Sequence, residues 1–233
     1  MSTPEPRRGL TIWLLIALPL VLQFAFVGLA ASIASLVTTL PDGATTFTNL
    51  PQALVLFSAY VVFAAAIWLV ARHLGSPTAV LVIRRTPLGR SVALSVVAFV
   101  AIVAASAALE PVFHGAESQD IAFGAWPSSP GGLLALVVSG VTIVAAAALT
   151  EELYFRGLLY GQLDRRWGVA AAVVWSAGVF GLAHFEPNAF PSLFVLGLIL
   201  GLLRLRTQSF WPGAAVHAAN NLLAFVALLL AVN

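Results

Sequence analysis

Residues 131–156 read GGLLALVVSGVTIVAAAALTEELYFR, an apolar run that ends in two adjacent glutamates and an arginine. The run from Gly131 to Leu149 is long enough to cross a membrane, since a spanning helix needs about 20 mostly apolar residues. Glu151 and Glu152 follow it after a single residue, Thr150. A carboxylate at membrane depth indicates a functional site, because its burial in hydrocarbon is costly. Arg156 is four residues after Glu152 and can pair with it on one helix face, whereas Glu151 has no such local partner.

The whole chain has the composition of an integral membrane protein. Of its 233 residues, 61% are hydrophobic and 9% are charged, whereas a soluble domain carries about 25% charged residues. Cysteine is absent, which excludes disulfides and thiolate metal ligands. The first apolar run, Leu10–Val37, is too long for a signal-peptide core and is predicted to be retained as a span.

Seven apolar stretches are predicted to span the membrane, so the expected fold class is an all-α, polytopic transmembrane helix bundle. They are Leu10–Val37, Leu54–Ala71, Ser91–Leu109, Gly131–Leu149 with a continuation toward Gly161, Gly168–His184, Phe190–Leu203 and Phe210–Val232. We expect residues 1–130 to form an N-terminal three-span region and residues 131–233 a four-span core, within one membrane domain. Gly197 and Gly201 indicate a close helix contact along the sixth span.

The arginines predict the orientation of the spans. All eleven basic residues are arginines, and seven alternating crossings place every one of them on the same side. The connections on the other side carry acidic residues and no arginine: Asp42, Glu110, Glu117, Asp120 and Glu186. The positive-inside rule makes the arginine side cytoplasmic, with the N-terminus inside, and we expect a multi-pass protein of the bacterial cytoplasmic membrane. Four tryptophans lie near that side, as an aromatic belt requires: Trp13, Trp68, Trp167 and Trp211.

Three further polar side chains are predicted to reach the depth of Glu151. Spans four and five are joined by a tight connection, which predicts an antiparallel hairpin with its turn near Arg166. Glu151 is fifteen residues before this turn and His184 is eighteen after it; these are roughly 22 and 27 Å along a helix. His217 and Asn221 are four residues apart and project from one face of the last span.

This set of side chains permits hydrolysis of an amide by water. A glutamate beside a histidine can hold and deprotonate a water molecule, and a second histidine with an asparagine offers donors to a developing oxyanion. The chain has no Gly-x-Ser-x-Gly elbow and no cysteine nucleophile. Glu151, His184 and His217 could also bind zinc, but no His-Glu-x-x-His pattern is present, and a reaction without a metal cofactor is our first choice.

Structural interpretations of the same residues stay open. Glu152 and Arg156 could form a buried ion pair without a catalytic role, and a histidine inside a membrane can serve as an interhelical hydrogen-bond partner. His73 and His114 lie in connections, and we assign them no role.

Three motifs in this region resemble those of a known family, the type II CAAX prenyl endopeptidase and abortive-infection family of CPBP intramembrane proteases. Residues 151–156, EELYFR, are similar to its E-E-x-x-x-R motif; residues 180–184, FGLAH, to F-x-x-x-H; and residues 217–221, HAANN, to H-x-x-x-N. The resemblance covers about Gly131 to Val232. It implies that Glu151 is the general base and that His184 helps it to hold water. It also implies an oxyanion site at His217 and Asn221, with Glu152, Arg156 and Phe180 in support. The family has been described both as metalloproteases and as glutamate proteases, and the resemblance leaves both open.

The leading interpretation is therefore an intramembrane endopeptidase that cuts a peptide or membrane-anchored protein in a cavity open to the cytosol. Its expected partners are that substrate and the lipid bilayer, without nucleic acid. One alternative is a non-enzymatic immunity factor or scaffold that binds a partner through the same polar cavity. Another is a proton-coupled transporter, since buried glutamate and histidine can relay protons; the absence of a detectable sequence repeat argues against it.

Overall fold

Helices make up almost all of the described part of the chain. The computed structural model describes residues 6–37, 49–115, 127 and 129–230. Its helices are α1 (Pro6–Val37), α2 (Leu50–Leu74), the short α3 (Pro77–Val80), α4 (Leu88–Phe113), α5 (Pro130–Leu182), α6 (Phe190–Thr207) and α7 (Trp211–Leu230). Six of these, all except α3, are long and apolar enough to cross a membrane. The predicted all-α bundle is confirmed. Asp42, Glu117, Asp120 and Val232 lie outside the described residues.

Helix α5 has 53 residues and reverses direction at Gly168. This glycine has φ +82° and ψ 172°, a conformation that residues with a Cβ atom rarely adopt. The ring centroids of Phe155 and Phe180, one on each side of the turn, are 5.2 Å apart, whereas a straight helix would separate them by about 38 Å. The two limbs, 130–167 and 169–182, therefore form the predicted antiparallel hairpin and bring the bundle to about seven spans. The turn lies close to the expected position near Arg166.

Connections that carry arginines meet at one end of the bundle. Trp13, near the start of α1, stacks on Trp167 beside the α5 turn, with ring centroids 5.3 Å apart. Ser209, between α6 and α7, donates a hydrogen bond of 2.7 Å to the carbonyl oxygen of Arg84, which precedes α4. These contacts agree with the alternation of spans that the charge pattern predicts.

Helix α6 packs closely against the second limb of α5 at Gly197. A Cβ atom added there would lie 2.9 Å from both the Cα and the Cβ atom of Ala177, which is too close for unstrained packing. An added Cβ at Gly201, one turn further on, would lie 3.4 Å from Val173, at the edge of ordinary contact. Of the two glycines, Gly197 is the one that this helix crossing requires.

A buried ion pair joins this crossing to the first limb of α5. Arg156 and Glu152 are both 0% exposed, and 2.8 Å separates Arg156 Nη1 from Glu152 Oε1. Arg156 Nη2 also donates a hydrogen bond of 3.1 Å to the carbonyl oxygen of Gly197. The Arg156 guanidinium carbon lies 4.7 Å from the centroid of the Phe180 ring. The Arg156 side chain thus contacts residues of both limbs of α5 and of α6.

We expect Gly197→Ala to lower the free energy of unfolding by about 1–3 kcal/mol, because the new methyl group overpacks the contact with Ala177. Gly201→Ala is the matched control and should have a much smaller effect. Thermal unfolding of the purified variants in detergent measures the difference. Equal stability of the two variants would contradict the assignment of the close contact to Gly197.

We expect Arg156→Ala to lower the free energy of unfolding by about 3–5 kcal/mol, because Glu152 would remain buried without its partner. Arg206→Ala, at an exposed arginine of α6, is the control and should be nearly neutral. Removing both charges, with Glu152→Gln and Arg156→Met together, should recover part of the loss. The measurement is again thermal unfolding in detergent, and an Arg156→Ala protein as stable as the wild type would be inconsistent with this role for the pair.

Candidate active site

Glu151 and Glu152 lie in a short α-helical stretch between two π-helical segments of α5, Thr142–Ala147 and Leu153–Leu159. Each segment has a backbone carbonyl that a side chain of another helix reaches. Asn221 Nδ2 donates to the carbonyl oxygen of Ile143 at 3.0 Å. Arg204 Nε donates to the carbonyl oxygen of Arg156 at 3.2 Å. Backbone polar groups at membrane depth must be satisfied within the protein, so these donors stabilise the widened turns. Such π turns are frequent at functional sites.

Glu152 connects the ion pair to a histidine of α7. Its Oε1 atom, which contacts Arg156, also lies 3.3 Å from Nδ1 of His217, and the His217 side chain is 4% exposed. Helix α7 comes close to this carboxylate at Gly213, where an added Cβ would lie 2.7 Å from Glu152 Oε2. Glu152 therefore lies on the Nδ1 side of the His217 ring, and its side chain is not exposed to solvent.

Glu151 lies in front of this histidine and is partly accessible, with 13% of its side chain exposed. Its Oε2 atom is 3.8 Å from Nε2 of His217. Its Oε1 atom accepts a hydrogen bond of 3.2 Å from the hydroxyl group of Tyr60 in α2. The Glu151 carboxylate is thus held between α2 and α7.

Phe180 supports both histidines. Its ring lies edge-on to those of His184 and His217, with centroid distances of 4.8 and 5.6 Å. The backbone carbonyl of Phe180 lies 2.8 Å from Nδ1 of His184. Since a carbonyl oxygen only accepts, Nδ1 carries the proton and Nε2 is the remaining ring nitrogen.

These groups line a cavity of about 530 Å³. Its polar lining consists of Tyr60, Glu151, His184, His217, Asn220 and Asn221. The rest is apolar: Leu56, Ile143, Ala147, Leu193, Leu196, Ala224, Phe225, Ala227 and Leu228. A smaller cavity of about 250 Å³ between α4, α6 and α7 shares five of these residues, among them Asn220. The site can therefore hold an apolar chain against a cluster of polar groups.

The cavity extends toward the end of the bundle away from the arginines. Along α7 it runs from His217 to Leu228 near the helix end, and along α2 it is lined by Leu56 and Tyr60 in the first half of the helix. If the arginine side is cytoplasmic, this end faces away from the cytoplasm. The lining residues precede the site on α2 and follow it on α7, so a cavity open to the cytosol and a cytoplasmic arginine side, both predicted from the sequence, are not compatible.

The predicted residues come together, but their pairing differs from the expectation. Glu151, His184, His217 and Asn221 all line the one cavity. The imidazole beside Glu151 belongs to His217, whereas His184 bonds to Phe180.

The arrangement of possible metal ligands can be compared with what zinc requires, which is three or four His, Cys, Asp or Glu side chains. Among the described residues, no three His, Cys, Asp or Glu side chains form a group that could hold a metal ion. Glu151, His184 and His217, the zinc ligands considered from the sequence, do not form such a group, and the metal requirement stays a prediction.

Tyr60 is the residue that the sequence interpretation missed. It lies in the second predicted span, without a motif around it. A signal was present, because a tyrosine hydroxyl inside an apolar span needs a hydrogen-bond partner. The sequence does not say that this partner is Glu151, which is 91 residues away.

Comparison with known proteins identifies the segment that carries the three motifs. Residues 130–223 match the family model described as type II CAAX prenyl endopeptidase Rce1-like. No curated protein and no solved structure matches the chain. The matched segment contains every polar residue that lines the cavity except Tyr60. Residues 130–223 thus carry an Rce1-like type II CAAX prenyl endopeptidase domain, and this match supports a CPBP family protease.

Proposed function

We propose that this protein is an intramembrane endopeptidase in which Glu151 activates water to hydrolyse a peptide bond. Its substrate is a peptide or a membrane-anchored protein in the lipid bilayer. The observation that carries the proposal is the 3.8 Å separation of Glu151 Oε2 and His217 Nε2 at the cavity wall. This is too long for a direct hydrogen bond, yet one water molecule can contact both atoms.

The neighbours of His217 support its role as the second contact of that water. Glu152 Oε1 lies beside Nδ1 and accepts from it, so in the neutral ring Nε2 is an acceptor. A water bound at both acceptors donates one hydrogen to Glu151 Oε2 and the other to His217 Nε2. Its lone pairs are then free to attack, which is the arrangement that general-base catalysis requires.

The reaction then needs donors for the oxyanion. The water oxygen forms a bond to the carbonyl carbon of the substrate while its proton passes to Glu151. Asn221 uses one amide hydrogen on Ile143 and keeps a second, and His184, when protonated, donates from Nε2. We assign these two groups to the developing oxyanion. When the C–N bond breaks, Glu151 returns the proton to the departing amine.

Glu151→Gln should lower the rate of cleavage roughly 10²- to 10⁴-fold, because glutamine cannot accept the proton of the water. Glu186→Gln, in the connection before α6, makes the same chemical change away from the cavity and should cleave normally. The measurement is mass spectrometry of membrane peptides that accumulate in cells carrying each variant. Thermal unfolding of both proteins should match the wild type.

If the Glu151→Gln protein still cleaves its substrate at the wild-type rate, Glu151 is not the general base. If that variant also kept the full biological effect of the wild type, the immunity or scaffold function would be favoured instead, because binding of a partner does not need proton transfer.

We also propose that the reaction proceeds without a metal cofactor, which the arrangement of the carboxylates and imidazoles supports. Treatment of the purified protein with a strong zinc chelator should leave the cleavage rate unchanged, and metal analysis should find less than one zinc per chain. A rate that falls with chelation and returns on addition of zinc would contradict this part of the proposal.

A further inference from the structure

We propose that Tyr60 is a positioning residue for Glu151, so that α2, which lies outside the matched segment 130–223, completes the active site. This role rests on the proposed function, since it concerns the carboxylate that activates water. The observation behind it is the hydrogen bond of 3.2 Å from the Tyr60 hydroxyl group to Glu151 Oε1.

The hydrogen bond determines which carboxylate oxygen faces the water. The last torsion of a glutamate side chain is broad, so one contact on one oxygen does not fix the plane of the carboxylate. Tyr60 occupies Oε1, and Oε2 is then the oxygen directed at His217. With both oxygens assigned, the carboxylate is held in the orientation that the bridging water needs.

The position of Tyr60 suits this role. Its side chain lines the cavity with Glu151, so the contact is made at the reaction site. A phenol is a neutral donor, and its hydrogen bond to a carboxylate is about twice as strong as one between neutral groups. It therefore orients Glu151 without adding a second charge to the cavity.

Tyr154 provides a matched control. Its hydroxyl group also donates to an oxygen of another helix, the backbone carbonyl of Ile16 in α1, at 3.1 Å. It is buried and does not line the cavity. Tyr60→Phe and Tyr154→Phe therefore remove the same atom and one hydrogen bond each, but only the first touches the site.

We expect Tyr60→Phe to lower kcat about 10- to 100-fold, as loss of a group that orients a reactive side chain does, with KM nearly unchanged. Tyr154→Phe should lower the unfolding temperature and leave kcat unchanged. The assay is cleavage of a peptide that the wild type cuts and Glu151→Gln does not. A Tyr60→Phe protein with the wild-type kcat would overturn the proposal.

A second measurement does not depend on peptidase activity. The infrared difference spectrum between wild type and Glu151→Gln isolates the carboxylate band of Glu151. Tyr60→Phe should shift this band and Tyr154→Phe should not; an unmoved band in Tyr60→Phe would also overturn the proposal. A band that shifts in a protein without any cleavage activity would refute the proposed function and still support the placement of Tyr60 on Glu151.

Discussion

The ion pair between Arg156 and Glu152 is the interaction on which the rest of the bundle depends. It is fully buried, and a buried charge is tolerated only when it is paired and hydrogen-bonded. Arg156 meets this demand by contacting Glu152, the Gly197 carbonyl and the Phe180 ring, which lie on three different parts of the chain. The same Glu152 oxygen orients His217. Folding of the α5 hairpin and orientation of the imidazole beside Glu151 are therefore coupled through one carboxylate.

The membrane environment explains why the polar groups of this site are so closely linked. A backbone carbonyl released by a π turn has no water to accept from at that depth, so side chains of other helices bond to it. Asn221 reaches Ile143 in this way, and Arg204 reaches Arg156. The side-chain amide of Asn221, which we propose to stabilise the oxyanion, thus also holds α7 against α5 through its hydrogen bond to Ile143. Substitutions at Asn221 are expected to affect packing and chemistry together.

Much of the architecture follows from patterns along the chain. The arginine distribution predicted the alternation of the spans, and the tight connection near Arg166 predicted the hairpin that turns at Gly168. The four-residue spacing of His217 and Asn221 placed both on one cavity. The spacing of residues along the chain could not predict that Glu151 lies beside His217 and not beside His184. It depends on the rotation of α7 about its axis, which Gly213 permits by letting the helix approach Glu152.

The amino-acid sequence alone determines that this is a helical membrane protein and which residues reach the depth of Glu151, because hydrophobic length and the constant rise of a helix set distance along the bilayer normal. Tertiary structure decides which of those residues touch. Tyr60 meets Glu151, and the cavity extends away from the arginines, only because α2, α5 and α7 are neighbours with particular faces turned inward. These contacts depend on side-chain packing between segments that are far apart in sequence. The spacing of residues within one segment does not predict such packing.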